Sequence, residues 1–307
     1  MSESESPLVS VIIPVFNDGE RLRLCLAALA KQTYARSRFE TIVVDNGSDD
    51  LGLIKDLVAV YDNATLAVEP LPGSYVARNR GLELAKGEVI AFTDADCIPA
   101  ADWLERGVAR LRQAPNCGQV VGRINLFFAD PQRPTAVELY ESLTAFPQER
   151  LLREQHGGAT ANVFTWRQVI DRVGCFDPRL KSNGDLEWGR RVFEAGFQQV
   201  YADDVQVGHP ARRSLGELYR RTVRLAGGYY DVQLKQAKSL GQRQLVFVQA
   251  LLQNLVPPVF FVVNVFGDGR LKSLDQKLKV SSVMVMVRYI SAWETLRLKF
   301  GGASSRA

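Results

Sequence analysis

Residues Val89 to Cys97, VIAFTDADC, decide how this chain is read. Five uncharged, largely apolar residues form a short strand signature, and the polar DAD triplet closes it. Alternation along an extended strand sends Asp94 and Asp96 to one side and Ala95 to the other. Two carboxylates then converge at a strand's carboxyl end. A hard divalent cation such as Mg2+ or Mn2+ takes one or two carboxylates together with phosphate oxygens, so the triplet is a candidate seat for a metal-bound diphosphate. The plain alternative is a polar turn in which Asp94 or Asp96 caps a helix beginning near Ala101.

Working outward, short β-branched runs alternate with amphipathic stretches over the first 125 residues. Strands are expected at Val9 to Val15, Thr41 to Asp45, Leu66 to Val68, Val89 to Thr93 and Gln119 to Arg123. Helices are expected at Glu20 to Gln32, after an Asn17 or Asp18 cap, and at Leu51 to Tyr61, Ser74 to Ala85 and Ala101 to Gln113. This rhythm predicts an α/β fold with a largely parallel, Rossmann-like sheet flanked by helices, its ligands beyond the carboxyl ends of the strands. Further helices are expected near Thr135 to Arg153, Arg167 to Val173, Asp185 to Ala195 and Ser214 to Ala226, with a strand at Val205 to Val207. The partition that follows is a disordered tail over residues 1–7, a catalytic domain over 8–230 and a basic, apolar helical region over 231–307.

The 307 residues are 46% hydrophobic and 23% charged, which excludes a disordered or collagenous chain. Four cysteines without a CxxC pair point to a reducing compartment. The acidic start, MSESESP, is not a secretory signal. Charge is lopsided: residues 1–210 hold 22 Lys and Arg against 29 Asp and Glu, and residues 211–307 hold 16 against 5. A carboxyl-terminal third at +11 faces something anionic.

No GxGxxG follows the first strand and no GxxxxGK[ST] occurs, which removes weight from NAD-linked redox chemistry and P-loop hydrolysis. Asp45 closes TIVVDNGSDD, where a carboxylate can accept the imide N–H of uracil or thymine or the N1–H of guanine. Cytosine and adenine offer no such ring donor. An Asx-turn or helix cap accounts for the same aspartate.

Taken together, VSVIIPVFN, TIVVDNGSDD, SYVARNRGLELAKG, VIAFTDADC, GGATANVF, FDPRL and NGDLEWGRR resemble the inverting family 2 glycosyltransferases of GT-A fold, in order and spacing, from residue 9 to about 225. The resemblance implies a nucleotide-sugar donor, most simply a UDP-sugar. It places Pro14, Phe16 and Asn17 in the first base-binding loop, Asp45 on the base, Arg78 near the nucleotide, and Asp94 and Asp96 as the motif that holds ribose and metal. Asp185 occupies the catalytic position, where a general base takes the proton of the attacking acceptor hydroxyl. Many relatives carry Glu-Asp there, whereas this chain has Gly184-Asp185. Placement at a helix start predicts that Asp185 stays ionised and is a weak base. The structural alternative is a capping box of Ser182 with Asp185.

His209 follows the last expected strand of the core and is either a third metal ligand or a structural histidine. His156, before Gly157 and Gly158, lies on the acceptor side or is an ordinary loop residue. Arg212, Arg213, Arg220, Arg221 and Arg224 form a solvated basic face or a site for a diphosphate or lipid-linked acceptor. Cys97 beside the triplet reads as a structural thiol.

Residues 245–266, LVFVQALLQNLVPPVFFVVNVF, carry no charge, and a helix of about 22 residues reaches across a bilayer core of about 30 Å. Gln249, Gln253 and Asn254 on one face and Pro257-Pro258 in the middle oppose a clean span, leaving an interfacial segment, a true span or a core helix. The basic amphipathic stretch Lys277 to Lys299 favours an anionic membrane surface over nucleic acid. The combined expectation is a metal-dependent glycosyltransferase on the cytoplasmic face of a membrane, acting on a glycan or lipid-linked acceptor in polysaccharide biosynthesis. No tryptophan lies in the QxxRW context of processive synthases, which favours a single addition per encounter. The rivals are a nucleotidyltransferase on a similar fold and a non-catalytic glycan or membrane adaptor.

Overall fold

The structure is a computed structural model that describes residues 6–304. Of the tail expected over residues 1–7, residues 1–5 lie outside the described residues. Pro7 already belongs to the fold, its carbonyl accepting from the Tyr34 hydroxyl at 2.6 Å.

In chain order the elements begin β1 (Val9–Val15), α1 (Gly19–Leu29), β2 (Phe39–Asp45), α2 (Leu51–Ala59), β3 (Ala64–Val68), α3 (Ser74–Leu84) and β4 (Val89–Thr93). They continue with β5 (Ile98–Pro99), α4 (Trp103–Gln113), β6 (Cys117–Phe127), α5 (Ala136–Thr144), α6 (Gln148–Gln155), β7 (Asn162–Trp166), α7 (Arg167–Val173), α8 (Gly184–Glu194) and β8 (Gln198–Pro210). Four helices complete the chain: α9 (Leu215–Gln236), α10 (Leu240–Leu255), α11 (Val259–Gly267) and α12 (Leu274–Lys299). The contacts gather these into two compact units, the first comprising residues up to Asn125, Phe146–Arg179 and Gly184–His209. The second comprises Leu126–Ala145, Leu180–Asn183 and the chain from Pro210 onward. The boundary expected at residue 230 falls inside α9.

An eight-stranded sheet in the order β3-β2-β1-β4-β7-β6-β8-β5 organises the first unit. The run β3-β2-β1-β4 is parallel, as the β-α rhythm requires, and β1 and β4 are buried almost throughout because helices cover both faces. Beyond β4 the sheet turns antiparallel: β7 runs against β4, with Val89 opposite Trp166, and against β6. The strand β7 was not expected from its sequence. Its Asn162 is fully buried and holds three elements at once, accepting from Trp103 Nε1 at 2.9 Å and donating to the carbonyls of Arg123 and Val205 at 2.8 and 2.9 Å. The helix expected over Thr135 to Arg153 is two helices, α5 and α6, broken where Phe146 takes φ 49° before Pro147.

In the second unit, Ser214 and Glu217 form a capping box at the start of α9, as Thr135 and Glu138 do for α5. Val137, Leu139, Tyr140, Leu218, Val265, Leu271, Val280 and Val283 make its core. Among the described residues no single helix is long and apolar enough to cross a membrane; α10 and α11 together are, but they bend by 42° at Pro257-Pro258. No residue of α10 is buried, which removes the core-helix reading for it.

Candidate active site

The strand order places β1 between β2 and β4, so the sheet's topological switch lies between β1 and β4, which is where open α/β sheets bind their ligands. Asp45 ends β2, buried, and accepts from the backbone N–H of Gly47 at 3.0 Å and of Ser48 at 3.2 Å. It forms the Asx-turn, and a carboxylate with about four acceptor sites retains capacity for a further donor. Asn17, at φ 51°, is locked to the same loop: its side chain donates to Asp49 Oδ2 at 3.0 Å and accepts from the Asp49 N–H at 2.8 Å. Phe16 beside it is 55% exposed, an apolar ring left in solvent. Pro14 is not in this loop but in β1, registered opposite Val44. The Asn17 or Asp18 side-chain cap expected for α1 is not made.

Asp94 and Asp96 do not share a direction by strand alternation. The strand stops at Thr93, and the Cys97 N–H closes a turn on the Asp94 carbonyl at 3.0 Å. Asp94 pairs with the buried Arg78 of α3, while Asp96 Oδ2 lies 3.2 Å from Nε2 of the buried His209 at the end of β8. The Phe146 ring lies 4.7 Å from the imidazole, centre to centre, and limits its orientation. Among the described residues no group of three or more His, Cys, Asp or Glu converges as a ligand set. The structure brings together Asp96 and His209 and turns Asp94 to a guanidinium. A carboxylate and an imidazole still suit a divalent cation whose remaining ligands are phosphate oxygens and water. Asp18 is a neighbour that sequence reading missed. Burial raises its carboxyl, Arg21 opposes, and Asp96 raises it further. Cys97 is fully buried and its thiol is pushed far up by burial, with Asp96 and Asp94 adding to the effect, which makes it inert.

Asp185 opens α8. Its Oδ1 accepts from its neighbour's N–H, that of Leu186, at 3.1 Å and from the Tyr75 hydroxyl at 3.2 Å. Burial raises the carboxyl, with Arg78 opposing, so the expectation of a weakly basic, readily ionised group is corrected: desolvation outweighs the helix terminus. The Ser182 hydroxyl donates to the Arg224 carbonyl at 3.3 Å and accepts from the Asn183 side-chain amide at 3.2 Å. Gly157 lets α8 approach closely, since a Cβ there would stand 2.9 Å from Leu186 Cα. His156 stacks on Phe193 at 3.7 Å, and Glu187 pairs with Arg191 at 3.1 Å. Tyr75, the residue that holds Asp185, was also missed, although its spacing to Arg78 places both on one face of α3.

The arginines after β8 are neither a solvated face nor an open anion site in full. Arg212 bonds the fully buried Glu141 at 3.0 Å and Arg221 lies 3.7 Å from it. Arg213 is within 3.9 Å of Glu138.

The family model described as glycosyl transferase family 2 matches residues 10–174. The chain is 38% identical over 251 residues to glycosyltransferase AglE of Haloferax volcanii, covering 81% of this chain and 80% of that one. Among solved structures, mannosyltransferase PcManGT of Pyrobaculum calidifontis, in complex with GDP-Man and Mn2+, superposes with a TM-score of 0.66 at 19% identity, over 98% of this chain and 89% of its own. GalNAc-T7 with UDP, GalNAc and Mn2+ superposes with a TM-score of 0.54 at 20% identity, over 68% and 44%. At such identities these neighbours establish the GT-A fold. The family match, which includes the loops after β1, β2 and β4, and the extended identity to AglE establish the rest: the chain belongs to glycosyl transferase family 2 and is a glycosyltransferase.

Proposed function

We propose that the enzyme moves a sugar from a nucleotide-diphosphate donor, a UDP-sugar above all, to a hydroxyl of a glycan or lipid-linked acceptor, with inversion. The observation that carries this reading is Arg78. Its guanidinium pairs with Asp94 and lies 5.8 Å from the centre of the Tyr75 ring, whose hydroxyl bonds Asp185. Contacts of one helix, α3, with both the diphosphate motif and the base support their belonging to one site. In this reading Asp45 accepts the ring N–H of the base, with Phe16 and Asn17 bordering it, and Arg78 neutralises charge beside the diphosphate. Asp185 takes the proton of the acceptor hydroxyl as its oxygen bonds to the anomeric carbon, opposite the departing diphosphate.

Asp96 and His209 would hold Mg2+ or Mn2+, the imidazole nitrogen favouring Mn2+, with Asp94 alongside. When bound there, the cation takes up charge on the leaving phosphate. The Mn2+ complexes of the two structural neighbours support a divalent metal. The test is thermal shift of UDP-sugars with and without Mn2+. A ligand selective for the folded protein raises its melting temperature, so the metal-dependent shift is expected in the native enzyme and lost in Asp96→Ala. An equal shift in that variant and in EDTA overturns the assignment.

We further propose that the enzyme binds peripherally to the anionic inner face of a membrane. Leu245, Val248, Leu252, Leu255, Phe260 and Val263 are exposed along α10 and α11, and Phe260 is 89% exposed. Apolar side chains beside the basic carboxyl-terminal third suit an interfacial helix pair.

A further inference from the structure

We propose that Tyr75 is a positioning residue for the transfer step, its hydroxyl holding the Asp185 carboxylate in place in a space that Gly184 keeps open. This rests on Asp185 being the base. The Gly184 N–H donates to the Tyr75 hydroxyl oxygen at 2.9 Å, which leaves the phenolic proton for Asp185 Oδ1 at 3.2 Å. Tyr75 is 6% exposed, and its ring stacks on Phe176 at 5.7 Å between centres. A Cβ at position 184 would lie 2.7 Å from Tyr75 Cε2 and 2.9 Å from Cζ. The ring therefore occupies the room that any side chain at 184 would need. This gives Gly184 its physical reason: the acidic neighbour is absent, and a neutral hydroxyl donor from α3 takes the space beside the base. A donor stabilises the ionised carboxylate, whereas a second carboxylate would repel it.

Two groups from α3 act on Asp185, the Tyr75 hydroxyl and the Arg78 guanidinium, and from its own helix the Leu186 N–H does. Tyr75 and Arg78 are one turn apart on the same helix face, so one rigid element holds the base through Tyr75 and Asp94 through Arg78. Burial raises the Tyr75 hydroxyl, so it stays a donor across the working pH range.

Tyr75→Phe keeps the ring, the Phe176 stack and the contact with Gly184 and deletes only the hydroxyl. A hydrogen bond to a charged group corresponds to a loss of about 10- to 100-fold in kcat, with KM for the nucleotide sugar unchanged. Without the donor the ionised carboxylate is less favoured, so the acid limb of kcat moves to higher pH. In an Asp185→Asn background Tyr75→Phe should cause no further loss, because the two act as a unit. Gly184→Ala, which displaces the ring and leaves the hydroxyl on the chain, should lower kcat in the same way. If Tyr75→Phe lowers melting temperature while kcat and the pH profile stay native, Tyr75 is merely structural and the proposal falls. If its loss adds fully to that of Asp185→Asn, it does not act through Asp185 and the proposal also falls. Near-native turnover in Asp185→Asn alone is a different result, which removes the base assignment itself.

Discussion

Glu141 joins α5 to the arginines that follow β8, and replacing it with alanine measures what that buried contact contributes. The carboxylate is wholly buried on α5 and accepts from the Arg212 N–H at 2.8 Å and its guanidinium at 3.0 Å, with Arg221 Nε at 3.7 Å. The Arg221 side chain is only 18% exposed. Burial pushes Arg221 down, Arg212 pushes it the same way, and Glu141 leads the opposition to them, with Tyr140 adding to it. Glu141→Ala thus leaves two facing guanidiniums and a backbone N–H without their acceptor. Breaking a buried pair from one side costs about 3–5 kcal/mol, a large part of a native stability of about 5–15 kcal/mol. Urea unfolding followed by circular dichroism should show the midpoint fall with the slope unchanged. Glu141→Leu combined with Arg212→Met and Arg221→Met, which removes the carboxylate and both guanidiniums, should be far less harmful than Glu141→Ala. A loss below about 1 kcal/mol in Glu141→Ala, the scale of an exposed bridge, would refute the reasoning.

The raised carboxyl of Asp185 predicts an acid limb of kcat above the ordinary carboxylate range, read from a pH–rate profile; a limb near about pH 4 contradicts it. Because its folded pKa is raised, ionisation opposes folding once the pH exceeds the unfolded value, so Asp185→Asn should raise melting temperature at neutral pH and lose that gain in acid. Asp45→Asn should raise KM for UDP-sugars about tenfold or more, because the amide's single oxygen is needed by the Gly47 and Ser48 N–H groups and its NH2 then meets the ring N–H donor to donor; tight binding of CDP-sugars with no response to UDP in the native enzyme would end the base assignment. Val248→Glu with Phe260→Glu should release the protein from phosphatidylserine vesicles in flotation without lowering melting temperature, and a native enzyme that ignores such vesicles discards the membrane proposal.

The parallel half of the fold was legible because burial there is dictated locally. Val9 to Val15 and Val89 to Thr93 are strands over the expected residues, uncharged runs bounded by polar turns and covered on both faces. The antiparallel half was not. The run NVFTW is five residues long, and what makes it β7 is its register against β4, which no local pattern encodes. The break between α5 and α6 was carried by Pro147, but the helical spacing on both sides concealed it. At α9 the apolar periodicity ran past the expected end at Ala226 to Gln236.

The site was legible in a different way, because the fold and the chemistry ask for the same residues. A strand that ends in an aspartate satisfies its own loop: Asp45 does so through the Gly47 and Ser48 N–H groups. That use is compatible with a ligand and gives no sign of one. Asp94 and Asp96 differ, since a capping aspartate needs only the backbone that follows it, and these two meet Arg78 and His209 from other elements. Sequence alone treated the two as equivalent by extending the strand through them. The turn from Asp94 to Cys97 that follows Thr93 separates their directions, one to a buried guanidinium and the other to an imidazole. Asp185 likewise draws a partner from another element, the buried Tyr75 hydroxyl of α3, which a cap alone does not call for. Reciprocal partners drawn from distant elements, not the aspartates themselves, distinguish a site from a turn.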